Sequence, residues 1–228
     1  MRTRRSSSLL AFSAALLLAI LPACGGSDGI DGQDGADGSD GAPGSQTIFL
    51  NQIGRIEHTD GTPGNWDESA AEIVAFDPGS NRIFVVNAND DTIDIVNASD
   101  PTNPTDAGAL DLTNGGVFTD VGGPNSVAVA GGIAAVAVEN DDKQLPGWVY
   151  FFNAASGAFI ARKDAGALPD MVTFAPGGNV VLAANEGEPN DDYSVDPEGS
   201  VTYIDISGGI AGAAPVQIGL SAFNAQEA

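Results

Sequence analysis

One pattern comes round three times after residue 70 and constrains the fold more than any other feature. A short apolar strand, a tight turn, a second apolar strand, an acidic loop and a third strand follow in the same order each time. The first strands are Glu72 to Phe76, Ser126 to Val129 and Met171 to Phe174. The second are Ile83 to Val86, Ile133 to Val138 and Val180 to Ala184, and the third are Thr92 to Val96, Trp148 to Phe152 and Ser200 to Ile204. Ile73 precedes Val127 by 54 residues, and Val127 precedes Val172 by 45. A period of about 50 residues with three or four short strands per unit belongs to the blades of a β-propeller. Apolar runs punctuated by Gly, Pro, Asn and Asp, with no long helical periodicity, argue for an all-β chain. The expectation is a partial propeller of about three to four blades over residues 47–228. The segment Thr47 to Glu57 is expected to supply a strand that completes the last blade.

Four stretches then carry a resemblance. They are Ala71 to Asp77, Gly123 to Val129, Gly166 to Phe174 and Ala184 to Tyr193, the last containing Asn185-Glu186-Gly187-Glu188-Pro189. Together they resemble the choice-of-anchor I domain family, which also includes the mesenchyme-specific cell surface glycoproteins. The resemblance implies an exported, surface-attached, seven-bladed propeller of the surface-layer type, attached by one of several anchoring devices. Three rounds fall short of seven blades, so the chain is expected to be a fragment whose blades form an open arc.

The acidic loops are the one chemical constellation that repeats. Asn87 to Asp91, Glu139 to Asp142 and Asn185 to Asp192 each follow a second strand. In a blade this loop shares an end with the start of the first strand, where Asn125 and Asp170 sit. Successive blades would bring such positions toward one axis. Carboxylates and amides gathered there suit a hard cation, and Ca²⁺ tolerates six to eight oxygens in irregular geometry. The candidate metal ligands are Glu139, Asp170, Glu186, Glu188 and Asp191. The candidate ligand-binding residues are Asn125, Asn185 and Tyr193. A solvated acidic surface is the plainer alternative. No catalytic residue is assigned: there is no G-x-S-x-G elbow, P-loop or haem motif, and the single His58 lies in a Gly-rich stretch.

The N-terminus reads as an export signal. Arg2, Arg4 and Arg5 precede a largely apolar run of 13 residues, Leu9 to Leu21, too short to span a bilayer comfortably. Leu21-Pro22-Ala23-Cys24 resembles a bacterial lipobox, which makes residues 1–23 a lipoprotein signal peptide and Cys24 the lipidated residue. Gly25 follows rather than Asp, so outer membrane or cell surface is the expected location. From Gly26 to Gly44 glycine recurs every third residue in a collagen-like pattern. Five aspartates and a single proline there favour a solvated tether over a triple helix, so residues 24–46 read as anchor and spacer. Removing residues 1–23 takes away three of 8 basic residues, leaving 5 against 31 acidic ones, a net charge of −26. Such a chain has no basic face for nucleic acid.

The functional expectation is a lipid-anchored, non-enzymatic surface module that binds a surface protein or glycan, with Ca²⁺ on its acidic loops. The alternative is a metal-dependent exported phosphoesterase, alkaline phosphatase-like or phytase-like, with metal held by the same carboxylates.

Overall fold

The computed structural model describes residues 50–57 and 71–226, all within one compact unit, Leu50–Ala228. The signal peptide, Cys24, the glycine triplets and His58 lie outside the described residues. Among the described residues, twelve strands form three four-stranded antiparallel sheets, each a meander in chain order. The first holds β1 (Val74–Asp77), β2 (Arg82–Asn87), β3 (Thr92–Asn97) and β4 (Thr105–Leu110). The second holds β5 (Val121–Ala130), β6 (Ile133–Asn140), β7 (Pro146–Asn153) and β8 (Phe159–Ala167). The third holds β9 (Pro169–Phe174), β10 (Val180–Asn185), β11 (Ser200–Asp205) and β12 (Pro215–Gly219). One short 3-10 segment, Ser221–Gln226, is the sole helical element among the described residues.

The sheets stack face to face in sequence order, and the alternation of side chains along each strand decides which core a residue enters. Phe84, Val86, Ile93 and Ile95 of the first sheet meet Val136, Val138, Tyr150 and Phe152 of the second. The intervening residues Ala135, Ala137, Val149 and Phe151 point the other way, onto Val172, Val181, Ala183 and Ile204 of the third. A sheet covered on both faces has no solvent side to leave polar. That is why Ile133 to Val138 and Trp148 to Phe152 read as unbroken apolar runs. The first strands are neighbours across the stack, with β5 against β1 on one side and β9 on the other. This is the arrangement of propeller blades around an axis, here an open arc rather than a closed ring.

Two expectations are corrected. Leu50–Glu57 forms no strand. It passes instead along the first sheet, where a Cβ on Gly54 would clash with the Pro101 carbonyl. Each blade also has a fourth strand that the three-strand repeat did not place. β4 and β12 are almost wholly exposed, so no run of buried residues marks them. β8 is held by Arg162, whose guanidinium lies 4.0 Å from the Phe118 ring centre and 4.4 Å from that of Trp148. The same group donates to Asp120 at 3.1 Å and to the Tyr150 hydroxyl at 3.4 Å.

Candidate functional site

The acidic loops gather at one end of the stack, and two β-bulges help aim side chains there. In β5 the register skips Asn125, with Pro124 opposite Val138 and Ser126 opposite Ala137. In β9 it skips Asp170, with Pro169 opposite Asn185 and Met171 opposite Ala184. A bulged residue leaves the ladder and its side chain is redirected. Asn125 Nδ2 donates to Glu139 Oε2 at 3.2 Å and to the Pro169 carbonyl at 3.1 Å. It thereby ties the second sheet's acidic loop to the start of the third sheet, next to Asp170.

Close backbone approach extends the cluster toward the first sheet. A Cβ on Gly123 would lie 2.9 Å from Asp91 Oδ1 and 3.8 Å from Glu139 Oε1. Asp91 and Glu139 therefore flank a residue that only glycine can occupy without displacement. Lys143 pairs with Glu139 at 3.5 Å, one exposed cation at the edge of the carboxylates. The sequence placed Asp91 in an acidic loop but not among the candidate ligands. The repeat of acidic loops was the available signal, but it does not say which loop residues meet.

In the third sheet, Glu186 feels partial desolvation and the charges of Asp170 and Glu188, which push its carboxyl above its ordinary pKa. Glu188 and Asp191 border a shallow hollow of about 750 Å³ whose other wall is Asp141, Asp142 and Lys143 of the second sheet's loop. Gln144 Nε2 reaches across to the Glu188 carbonyl at 3.4 Å. Tyr193 stands out in solvent at 76 % exposure, on a turn with φ of 57° whose amide donates to the Asn190 carbonyl. Among the described residues no group of three or more His, Cys, Asp or Glu side chains stands assembled to hold a metal ion.

Asn185 lies behind this face rather than on it. Its Nδ2 donates to Ser200 Oγ at 3.1 Å and Thr202 Oγ1 at 2.9 Å, while its Oδ1 is buried without a partner. It has counterparts: Asn87 and Asn140 also end second strands and are also buried. Asn140 Nδ2 donates to the Pro146 carbonyl at 3.2 Å, and its Oδ1 accepts from the Asp142 amide at 3.0 Å. In the first two sheets this amide folds the acidic loop back over the strand end.

The stack is similar to several solved structures. Hydrazine synthase of Kuenenia stuttgartiensis aligns over 66 % of this chain and 54 % of its own, at 16 % identity and a TM-score of 0.41. A luciferin-regenerating enzyme aligns over 68 % of this chain and 50 % of its own, at 13 % identity and a TM-score of 0.48. Saccharomyces cerevisiae Sqt1 aligns over 66 % and 35 %, at 12 % identity and a TM-score of 0.43. The chain thus spans about half, or less, of the length of these structures. No curated protein matches it. The model of the choice-of-anchor I domain matches residues 72–228, which takes in all three sheets. The chain belongs to the choice-of-anchor I domain family.

Proposed function

We propose that this protein is an exported, lipid-anchored surface module that acts by binding, through the acidic loop end of its stacked blades. A choice-of-anchor domain built as propeller blades is a surface-associated scaffold. The finer reading adds Cys24 as the lipid attachment, residues 24–46 as the tether, and a surface protein or glycan as partner.

The observation that carries the binding face is the gathering of acidic side chains from two loops, with Glu188 and Asp191 across a hollow from Asp141 and Asp142. Two residues before Glu188, burial first and then the charges of Asp170 and Glu188 raise the Glu186 pKa, and a divalent cation would relieve the repulsive part. Ca²⁺ is the fitting ion, because its flexible shell accepts carboxylates from a loop that closes on it. Asp191 and Glu139 border the same end and could complete the shell with water. Thermal unfolding in a Ca²⁺ titration tests this. Millimolar Ca²⁺ should raise the melting temperature by mass action, and Glu186→Gln with Glu188→Gln should abolish the rise. An unchanged melting temperature removes Ca²⁺ from the account. Separately, Cys24→Ala should move the protein from the membrane pellet to the soluble fraction, and retention after a carbonate wash would refute the anchor.

Lys143 beside Glu139 favours a second reading, the metal-dependent phosphoesterase, since a lysine next to metal-binding carboxylates helps to hold a phosphate ester. Phosphatase activity that EGTA removes would select it over the binding module.

A further inference from the structure

We propose that Asn114 is a site of spontaneous covalent modification, in which the Gly115 amide nitrogen attacks the Asn114 carboxamide, and that Asp111 sets its rate. Asn114 is the one asparagine in the chain that glycine follows. The pair lies in the connection between β4 and β5, where Asn114, Gly115 and Gly116 take φ of 50°, 69° and 83° in succession. Gly115 and Gly116 are exposed, and nothing lies within 4 Å of a Cβ placed on either. The attacking nitrogen must come within bonding distance of Asn114 Cγ, and a side chain on residue 115 would crowd that approach.

The reaction needs water alone, and nothing is oxidised or reduced. The Gly115 nitrogen gives its proton to hydroxide and forms a bond to Asn114 Cγ. The carboxamide nitrogen takes up a proton from water and leaves as ammonia, and a cyclic succinimide remains. Water then opens the ring at either carbonyl. One opening leaves an aspartate in the ordinary chain. The other routes the main chain through the former side chain, as isoaspartate.

Asp111 acts on the proton that must leave. Its Oδ2 accepts from the Gly115 amide at 2.6 Å, while Oδ1 accepts from the Thr113 hydroxyl at 2.7 Å. The hydroxyl first and then the amide hold its carboxyl below the ordinary range, so it is charged in neutral solution. A carboxylate that accepts from an N–H stabilises the protonated amide, and it would repel a nitrogen anion. The folded loop thus restrains the reaction by charge. The same turn decides what the modification does. The Phe118 amide donates to the Thr113 carbonyl at 2.9 Å, and the Phe118 ring lies over Arg162 and edge-on to Tyr150 and Phe159. The extra main-chain atom of an isoaspartate falls inside that closure and would draw Phe118 off the second sheet.

The full chain is incubated in warm, mildly alkaline buffer, and its proteolytic peptides are read by mass spectrometry, with isoaspartyl methyltransferase labelling as a second readout. Asn114 should convert ahead of every other asparagine, and more slowly in the folded protein than in urea. Asp111→Asn keeps an oxygen beside the Gly115 amide without the charge. It should speed conversion about fivefold, equivalent to about 1 kcal/mol of barrier. Thr113→Val removes the hydroxyl that accepts from the Gly116 amide at 3.1 Å but leaves the Asp111 charge, so it should speed conversion less. Gly115→Ala should suppress conversion in either background. Circular dichroism checks folding, and Asp111→Ser replaces Asp111→Asn if that variant fails it. Faster conversion at another asparagine, or a rate that loss of the Asp111 charge leaves unchanged or lowers, would overturn the proposal. So would an equal gain from Thr113→Val, because loosening of the loop rather than charge would then set the rate.

Discussion

Glu186 and Asp111 show how one residue type answers to opposite local physics. Asp111 accepts from the Thr113 hydroxyl at 2.7 Å, the Thr113 amide at 3.0 Å and the Gly115 amide at 2.6 Å. The Thr113 hydroxyl bond first, then the Gly115 amide, hold its carboxyl below the ordinary range. Its contribution is therefore present above the unfolded pKa and is lost as pH falls through the folded one. Glu186 runs the other way. Its raised pKa means that its contribution is complete below the unfolded value and is lost as pH rises through the folded one. Glu186→Gln should consequently raise the melting temperature at pH 7 and change it little at pH 4. The gain should stay within about 0.5 kcal/mol, because water screens an exposed carboxyl. Chemical denaturation at the two pH values measures it, and a loss of stability at pH 7 would contradict the assigned repulsion.

Among the elements, the β5–β6 connection is the tightest hairpin within a sheet. Ala130 pairs with Ile133, so Gly131 and Gly132 alone make the turn, with φ of 57° and 77°. Two positive φ values in a two-residue loop give the type I′ turn that matches strand twist. Nothing lies within 4 Å of a Cβ placed on either glycine, so a substitution there is a backbone effect alone. Gly132→Val should cost about 1–2 kcal/mol, the left-handed penalty for an L-residue. Gly132→Asn should cost less, since Asn visits that region. Urea denaturation midpoints of the two variants check the order, and equal midpoints would count against the turn.

On the scale of the whole molecule, two cores share one central sheet. Phe151 and Phe152 are adjacent and both fully buried, but they face the third and the first sheet respectively. Truncating either to Ala should cost about 3–5 kcal/mol. The losses should be local in different places. Phe151→Ala should reduce hydrogen-exchange protection chiefly in β9 to β11, and Phe152→Ala chiefly in β1 to β3. Identical protection maps for the two variants would mean that the stack does not divide along its middle sheet.

What the sequence by itself determined was the burial pattern. Strands two and three of every blade were legible because covering a sheet on one or both faces demands Val, Ile, Phe or Ala at set positions. The turns were legible because positive φ demands Gly or Asn, and the equivalence of the acidic loops followed from their place after each second strand. The outermost strands β4 and β12 left no such trace, since an exposed edge strand buries almost nothing that selection of apolar residues could record. Asn125 and Asp170 were visible as polar residues at strand starts, but only the register slips turn them out of their ladders. Likewise, that Asp91 flanks Gly123 beside Glu139, and that the charges of Asp170 and Glu188 act on Glu186, depends on how the three sheets stack and how their loops fold. Those are contacts between residues tens of positions apart or on one folded loop, and local periodicity carries no information about them.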